Sequence, residues 1–389
     1  MQVQPAEQVI RGRPDSGWQV DLFCGPGGFA TGFEFAGFQS ALAVDFYPPA
    51  IHTYRKNHPG TPTILGDIRE VDTDLILSAI KGKSISVVTA GVPCEGFSLA
   101  NRNRGKFVDE RNFLFLEFLR VAKAIQSPYV VLENVSGITG HSDGYFKKEI
   151  TAGMEEAGYI VDCKMLDAQE FGVPQRRKRV FFVGRMPGWA FSWPLPSHGQ
   201  VAGLRLPVTV ADAILDLPPL QNDETITRYR GGPKSAFAKL MRGTQEDLLN
   251  HRAPNHPKKT IERIQNTKPG EPMYPAYQQR IRLDPDRPSP TVISGGIRPQ
   301  FHYGHPTQPR GLSVRERARL QSFPDSYDFV GGLVQGRVLT GDAVPPLLAA
   351  AIATSIASGI AIGLSKDLRK LDEKAIKANK QKPVQMEAF

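Results

Sequence analysis

Between Val20 and Gly184 seven short apolar runs alternate with helix-like stretches, and this alternation limits the fold more than any other feature of the chain. The runs are Val20–Cys24, Ala41–Val44, Thr63–Leu65, Ile85–Ala90, Tyr129–Leu132, Tyr159–Leu166 and Arg179–Val183. Helical spacing lies between them, as in Asn112–Ile125, where Phe113, Leu116 and Val121 share one face, and in Tyr145–Ala157. Strands separated by helices predict an α/β fold with a mostly parallel sheet covered on both faces.

After Gly184 the character changes. Residues 185–310 are rich in Pro, Gly and charge, and Pro194-Leu195-Pro196, Pro218-Pro219 and Pro285–Pro290 cut them into short pieces. We read residues 1–17 as an N-terminal extension, 18–184 as the first domain and 185–290 as a second, smaller, loop-rich domain. Residues 291–364 bring the chain back to the first domain, and 365–389 form a basic tail. Within the return, Ser313 with Glu316 three residues on predicts a capping box at a helix start. A long apolar helix follows Pro345-Pro346, runs to about Gly363 and is expected to be buried against the first domain. The last 24 residues have few apolar anchors and are expected to fray in solvent.

The three cysteines, Cys24, Cys94 and Cys163, lie far apart without a Cys-x-x-Cys pair. That argues against a disulfide framework or a zinc site and for a reducing, cytoplasmic setting. The polar N-terminus lacks an apolar signal core, and no apolar run is expected to reach the ~20 residues that span a bilayer. The formal charge is +9, and residues 185–310 hold 17 Lys/Arg against 10 Asp/Glu, so most of the excess sits there. Five of the eight histidines fall in the same window. A basic region of this kind suits a phosphate backbone.

Four motifs carry chemistry. Asp21-Leu22-Phe23-Cys24-Gly25-Pro26-Gly27-Gly28-Phe29 follows the first strand and opens a helix, where Gly25, Gly27 and Gly28 let the backbone approach a ligand. Asp45 ends the second strand, where a carboxylate can take both ribose hydroxyls, and Asp67-Ile68 ends the third, where a carboxylate and an amide could read an adenine edge. The pyrophosphate spacing Gly-x-Gly-x-x-Gly is absent, which favours a nucleoside ligand without phosphates, such as S-adenosylmethionine, over NAD. Cys94 follows Pro93 at the end of the fourth strand, placed as a nucleophile at the sheet's carboxyl edge. Glu133-Asn134-Val135 ends the fifth strand, where a buried carboxyl keeps its proton more readily. Gln175-Arg176-Arg177-Lys178-Arg179 precedes the last, and in an extended segment Arg177 and Arg179 share one face as a phosphate or carbonyl clamp.

In this order the motifs resemble those of the DNA cytosine-5 methyltransferases of the bacterial modification type. The match adds Arg315-Glu316, Arg319–Pro324 and Gly341-Asp342-Ala343-Val344-Pro345-Pro346, and covers roughly Val20–Gly184 and Arg287–Ile362. Three positions depart from the family pattern: Val92 stands where it usually has Pro, Glu95 where it usually has Gln, and Asp342 where it usually has Asn. The resemblance implies a Rossmann-like sheet, S-adenosyl-L-methionine as cofactor and double-stranded DNA as partner. It makes 185–290 the target-recognition domain of a protein expected to be monomeric, in a restriction-modification system with a possible cognate endonuclease. It implies that Cys94 adds to carbon 6 of a flipped cytosine, that Glu133 bonds N3, that Arg179 orients the base through O2 and that Arg177 holds the DNA backbone. Phe23, Phe46, Pro93, Asp342, Ala343 and Val344 join the cofactor wall; Ser98 and Arg102, in a lid over Gly96–Asp109, and Gln175 meet DNA; no metal is needed. A transfer-RNA cytosine methyltransferase shares some motifs, but its Cys-Phe-Thr signature does not occur. Intact Cys94, Glu133, Arg177 and Arg179 argue against a non-catalytic regulator of the same fold.

Overall fold

The computed structural model describes residues 16–93, 113–139, 144–294 and 302–380. The seven strands are β1 (Trp18–Leu22), β2 (Gln39–Asp45), β3 (Thr63–Leu65), β4 (Ile85–Gly91), β5 (Tyr129–Val135), β6 (Ile160–Asp167) and β7 (Lys178–Arg185). They form one sheet in the order β3-β2-β1-β4-β5-β7-β6. Neighbours pair in parallel from β3 to β5, and β7 runs antiparallel to both β5 and β6. The order reverses between β1 and β4, which opens a crevice at the carboxyl edge, where such sheets bind ligands.

Twelve helices are described: α1 (Gly28–Phe35), α2 (Pro48–Asn57), α3 (Thr73–Ala79), α4 (Phe115–Ile125), α5 (Tyr145–Glu156), α6 (Val210–Ile214), α7 (Ala236–Arg242), α8 (Lys258–Asn266), α9 (Val314–Leu320), α10 (Leu333–Asp342), α11 (Pro346–Ile362) and α12 (Lys366–Lys380). The period-two alternation of the strands divides the core. Val20, Leu22, Val130, Leu132 and Phe182 face α3, α4 and α5, with Ile76, Phe118 and Ile150. Val87, Val131, Phe181 and Val183 face the other way, onto Phe29 and Phe33 of α1 and Leu348, Ile352 and Ile356 of α11. That second layer runs on without a break into Leu217, Phe237, Leu248 and Leu283, so the loop-rich region shares its core with the sheet.

The seam between α1 and α11 is built of small residues. A Cβ on Gly28 would lie 2.1 Å from the Val344 carbonyl oxygen, and one on Gly32 would lie 2.4 Å from that of Pro346. The stretch Leu333–Ile362 has the length and hydropathy to cross a membrane, contrary to the expectation from sequence. It is broken into α10 and α11, and 61% of its most apolar window is buried, as in a core helix.

α9 starts as expected: the Ser313 hydroxyl accepts from Glu316 N at 3.1 Å and a Glu316 carboxylate oxygen accepts from Ser313 N at 2.8 Å. As far as Lys380 the tail is ordered, contrary to expectation. Residues 366–380 are helical, and Asp372 is buried, accepting from Arg185 at 2.7 Å and from the Gly188 amide at 3.0 Å. A carboxylate rather than an apolar side chain anchors this helix, so hydrophobic patterning does not reveal it.

Beside α9 lies a buried polar knot. Arg310 pairs with Glu316 through bonds of 2.6 and 2.8 Å. His305 Nε2 lies 3.5 Å from Glu316, yet its Nδ1 accepts from the amides of Thr307 and Gln308, both at 3.2 Å, so that nitrogen has no room for a proton. His256 Nε2 likewise accepts from Gly311 N at 3.0 Å. Burial, aided by Arg310, pushes both histidines down to about 4, and for His305 this outweighs the neighbouring carboxylate.

Two outcomes are expected. Gly28→Ala forces the Val344 backbone away from α1 and should cost about 1–3 kcal/mol in urea unfolding, whereas Gly231→Ala, with nothing within 4 Å, should cost far less. Above the unfolded histidine pKa of about 6.5 the neutral rings contribute their full stability. As pH falls from there towards about 4, the unfolded chain takes up protons that the folded chain refuses, and the urea midpoint should drop. Glu316, whose pKa is lowered by Arg310 against the opposing effect of burial, adds its loss only below the ordinary carboxylate range. His256→Gln should flatten the midpoint profile between pH 6.5 and 4.5.

Candidate active site

The turn after β1 has an unusual backbone. Phe23 (φ 52), Gly25 (φ 54) and Gly27 (φ 96) all have left-handed backbones, and a bulky aromatic residue there stores strain. The turn is pinned from behind: the Tyr327 hydroxyl donates to the Pro26 carbonyl and lies 3.1 Å from His58 Nε2. From the neighbouring strand, Asp45 accepts from the amides of Gly25 and Tyr47, each at 2.8 Å. Burial raises the Asp45 pKa, and Asp342 on the far side of the crevice adds to the effect.

Next to Asp45, Phe46 is 64% exposed and presents an aromatic face. Gly25 has open space where a Cβ would go. A Cβ on Gly91 would be 3.7 Å from the Phe23 carbonyl and 3.8 Å from the Val344 side chain. A glycine-floored crevice with a fixed carboxylate and an exposed ring fits a nucleoside, and carboxylates on two sides fit a cationic one. Asp67 is less free than expected, because Arg69 chelates its carboxylate and lowers its pKa. Ile68 is buried, and its carbonyl accepts from Arg120 at 2.9 Å. Arg120 also bonds Val71 O at 3.1 Å, Thr73 and, at 2.7 Å, Glu117, so it ties this loop to α4. Sequence reading passed over Arg120; its signal is a charge flanked by the buried Leu119 and Val121 of an amphipathic helix.

At the ends of β5 and β7 the Glu133 and Arg179 side chains meet. Glu133 is buried, and Arg179 Nε donates to its Oε1 at 2.8 Å. The pairing places Val135 opposite Arg179, so Glu133 lies diagonally across on the same face. Burial raises the Glu133 pKa, against the pull of Arg179 and Arg177. Glu133 is thus a carboxyl poised to hold a proton beside a fixed guanidinium. Pro93 stands at the end of β4, the strand adjoining β5. Cys94, Ser98 and Arg102, and with them the expected lid, lie outside the described residues.

Two of the expected DNA contacts are turned inwards in this structure. Gln175 is fully buried, donates to Leu320 O at 3.1 Å and Gln321 Oε1 at 2.9 Å, and accepts from Val292 N at 2.7 Å. Arg177 is engaged inside the protein as well. It is 2% exposed and donates to the carbonyls of Val292, Gly341 and Ala343 at 2.9, 3.1 and 3.2 Å. It holds the Gly341–Ala343 turn, and hence Asp342 and Val344, against the strand that bears Arg179.

Comparison with known proteins agrees with this geometry. The family model for C-5 cytosine-specific DNA methylases matches residues 19–358. Type II methyltransferase M1.HphI of Haemophilus parahaemolyticus is 38% identical, over 86% of this chain and 85% of its own length. Type II methyltransferase M.AgeI of Thalassovita gelatinovora is 32% identical, over 86% and 97%. A crystal structure described as a DNA modification methyltransferase encoded within an E. coli prophage superposes with a TM-score of 0.75 at 25% identity, covering 88% of this chain and 99% of that one. A sheet that gathers Asp45, Glu133 and Arg179 at one edge, together with a match over nearly the whole chain, establishes that this protein belongs to the C-5 cytosine-specific DNA methylase family.

Proposed function

We propose that this DNA cytosine-5 methyltransferase works through Cys94, Glu133 and Arg179 on a cytosine turned out of the duplex, and that the buried Glu133–Arg179 pair, 2.8 Å long, is the observation that carries the reading. Carbon 5 of cytosine is a weak nucleophile hidden in the stack, so the base must be extruded at a cost of a few kcal/mol. The Cys94 thiolate adds to carbon 6, which pushes electron density towards carbon 5 and N3. Glu133, its pKa raised by burial, keeps a proton to share with N3 and stabilises the ring as it gains electrons. Arg179, fixed by Glu133, offers its remaining N–H groups to O2. S-adenosylmethionine, when bound, would supply the methyl group that carbon 5 takes up, its sulfonium leaving as the neutral thioether of S-adenosylhomocysteine. Loss of the carbon-5 proton to a water molecule acting as base and expulsion of the Cys94 thiolate then restore the aromatic ring.

The glycine floor at Gly25 and Gly91, Asp45 and Phe46 would hold the cofactor, with Asp45 on the ribose hydroxyls and the exposed Phe46 ring on the adenine. Residues 185–290, basic and loop-rich, form the target-recognition region. Likeness to type II enzymes supports a place in a restriction-modification system. The same reading makes the protein a monomer with an endonuclease that cuts the same site.

A duplex with 5-fluorocytosine at the target should trap a covalent adduct with the wild type, because fluorine cannot leave as a proton, and Cys94→Ser should form none; an adduct with the variant would refute the nucleophile. Glu133→Gln, which lacks an acidic proton, should lose about 10²–10⁴-fold in single-turnover methyl transfer while duplex affinity persists.

A further inference from the structure

Behind the turn at residues 25–28, three polar side chains from distant parts of the sequence meet in a buried chain. His58, at the end of α2, has its Nδ1 2.7 Å from Glu34 Oε1 of α1 and its Nε2 3.1 Å from the Tyr327 hydroxyl. The Tyr327 hydroxyl in turn donates to the Pro26 carbonyl. The His58 ring packs on Tyr54, with centroids 4.5 Å apart, and its side chain is 1% exposed. Gly27 lies directly against this chain: a Cβ there would be 2.6 Å from the Tyr327 hydroxyl and 2.8 Å from His58 Nε2.

Tyr327 has one hydroxyl hydrogen, and it goes to Pro26 O. The contact between Tyr327 and His58 therefore needs a hydrogen from Nε2. The contact with Glu34 needs a second, from Nδ1, because a partly exposed carboxylate offers only lone pairs. A ring that donates from both nitrogens is an imidazolium. A neutral ring that kept its Nδ1 hydrogen for Glu34 would present a lone pair at Nε2. The Tyr327 hydrogen would turn towards that lone pair and leave Pro26. Pro26 sits between Gly25 and Gly27, whose left-handed backbones shape the crevice floor, and Asp45 accepts from the Gly25 amide in the same turn.

We propose that His58 is a positioning residue for the cofactor turn: as an imidazolium paired with Glu34, it leaves the single Tyr327 hydrogen on Pro26 and so fixes the crevice floor. The inference rests on the reading of that crevice as the cofactor site. Loss of one ring proton to solvent loosens the turn, so cofactor affinity falls as pH rises through the His58 titration. By linkage, a bound ligand holds the proton on the ring. The other titratable groups around this chain are Tyr54, Tyr327, Cys24 and Asp21. Burial pushes the two hydroxyls and the Cys24 thiol well above their usual values, so they keep their protons at neutral pH. Asp21, raised likewise by burial, is retained in both variants used below.

The test is calorimetric binding of S-adenosylhomocysteine to the full-length protein between about pH 6 and about pH 9. Nitrogen NMR of the histidine rings accompanies it, with His58 assigned from the spectrum of His58→Gln. The wild type should bind roughly 10-fold more weakly at the top of the range, the worth of about one hydrogen bond. Its His58 ring should carry protons on both nitrogens at the bottom. His58→Gln keeps an N–H for Tyr327 at every pH, so its affinity should not vary with pH. Tyr327→Phe cannot reach Pro26 and should bind roughly 10-fold more weakly than the wild type at the low end, again without a slope. A His58 ring with a single proton at the low end, or a pH slope in His58→Gln equal to that of the wild type, overturns the proposal. A wild type that binds no S-adenosylhomocysteine at any pH overturns the crevice reading instead, while the proton count on the ring still decides the state of His58.

Discussion

Arg319 carries its guanidinium fully buried between two carboxylates, Asp216 at 2.6 Å and Asp325 at 2.7 Å, and much of the molecule hangs on that arrangement. Asp216 belongs to the loop-rich region, Asp325 to the returning chain, and α9 lies between them. Arg315, one turn earlier and equally buried, donates to Leu249 O and Pro324 O at 2.9 and 3.0 Å. Removing one partner of such a group leaves an uncompensated buried charge and costs about 3–5 kcal/mol. A seven-residue helix has little stability of its own. Here it acts as a rod of fixed charges around which loops without regular structure find their places. That is how a region so rich in proline and glycine joins the same core as the sheet.

Much of this was legible in the sequence. All seven strands were readable because short apolar runs separated by helical spacing reflect local geometry, and Ser313 with Glu316 marked a helix start because a capping box is local too. The Gly-rich turn, Asp45, Glu133 and Arg179 could be read because each follows or precedes a strand on the same edge. What could not be read depends on partners distant in the chain. Gln175 and Arg177 stand in a run of charges that suggests a wet surface, but their partners, at 292, 320–321 and 341–343, come from more than a hundred residues away. The tail helix was missed for the same reason, since Asp372 looks like any solvated acid until Arg185 is brought beside it.

Arg177 also changes how the two halves of the crevice relate. Its guanidinium grips the turn that carries Asp342 and Val344, while its charge acts on Glu133 two residues from its strand neighbour Arg179. The Asp342 end and the Glu133 end of the crevice are therefore joined through one buried guanidinium. Under the proposed function, a cofactor that shifts residues 341–343 would change the field at Glu133, and a base that alters the charge of Glu133 would act back on that segment. Such linkage is reciprocal by thermodynamic necessity: whatever preference a bound cofactor would give the flipped base, the base would give the cofactor with equal strength.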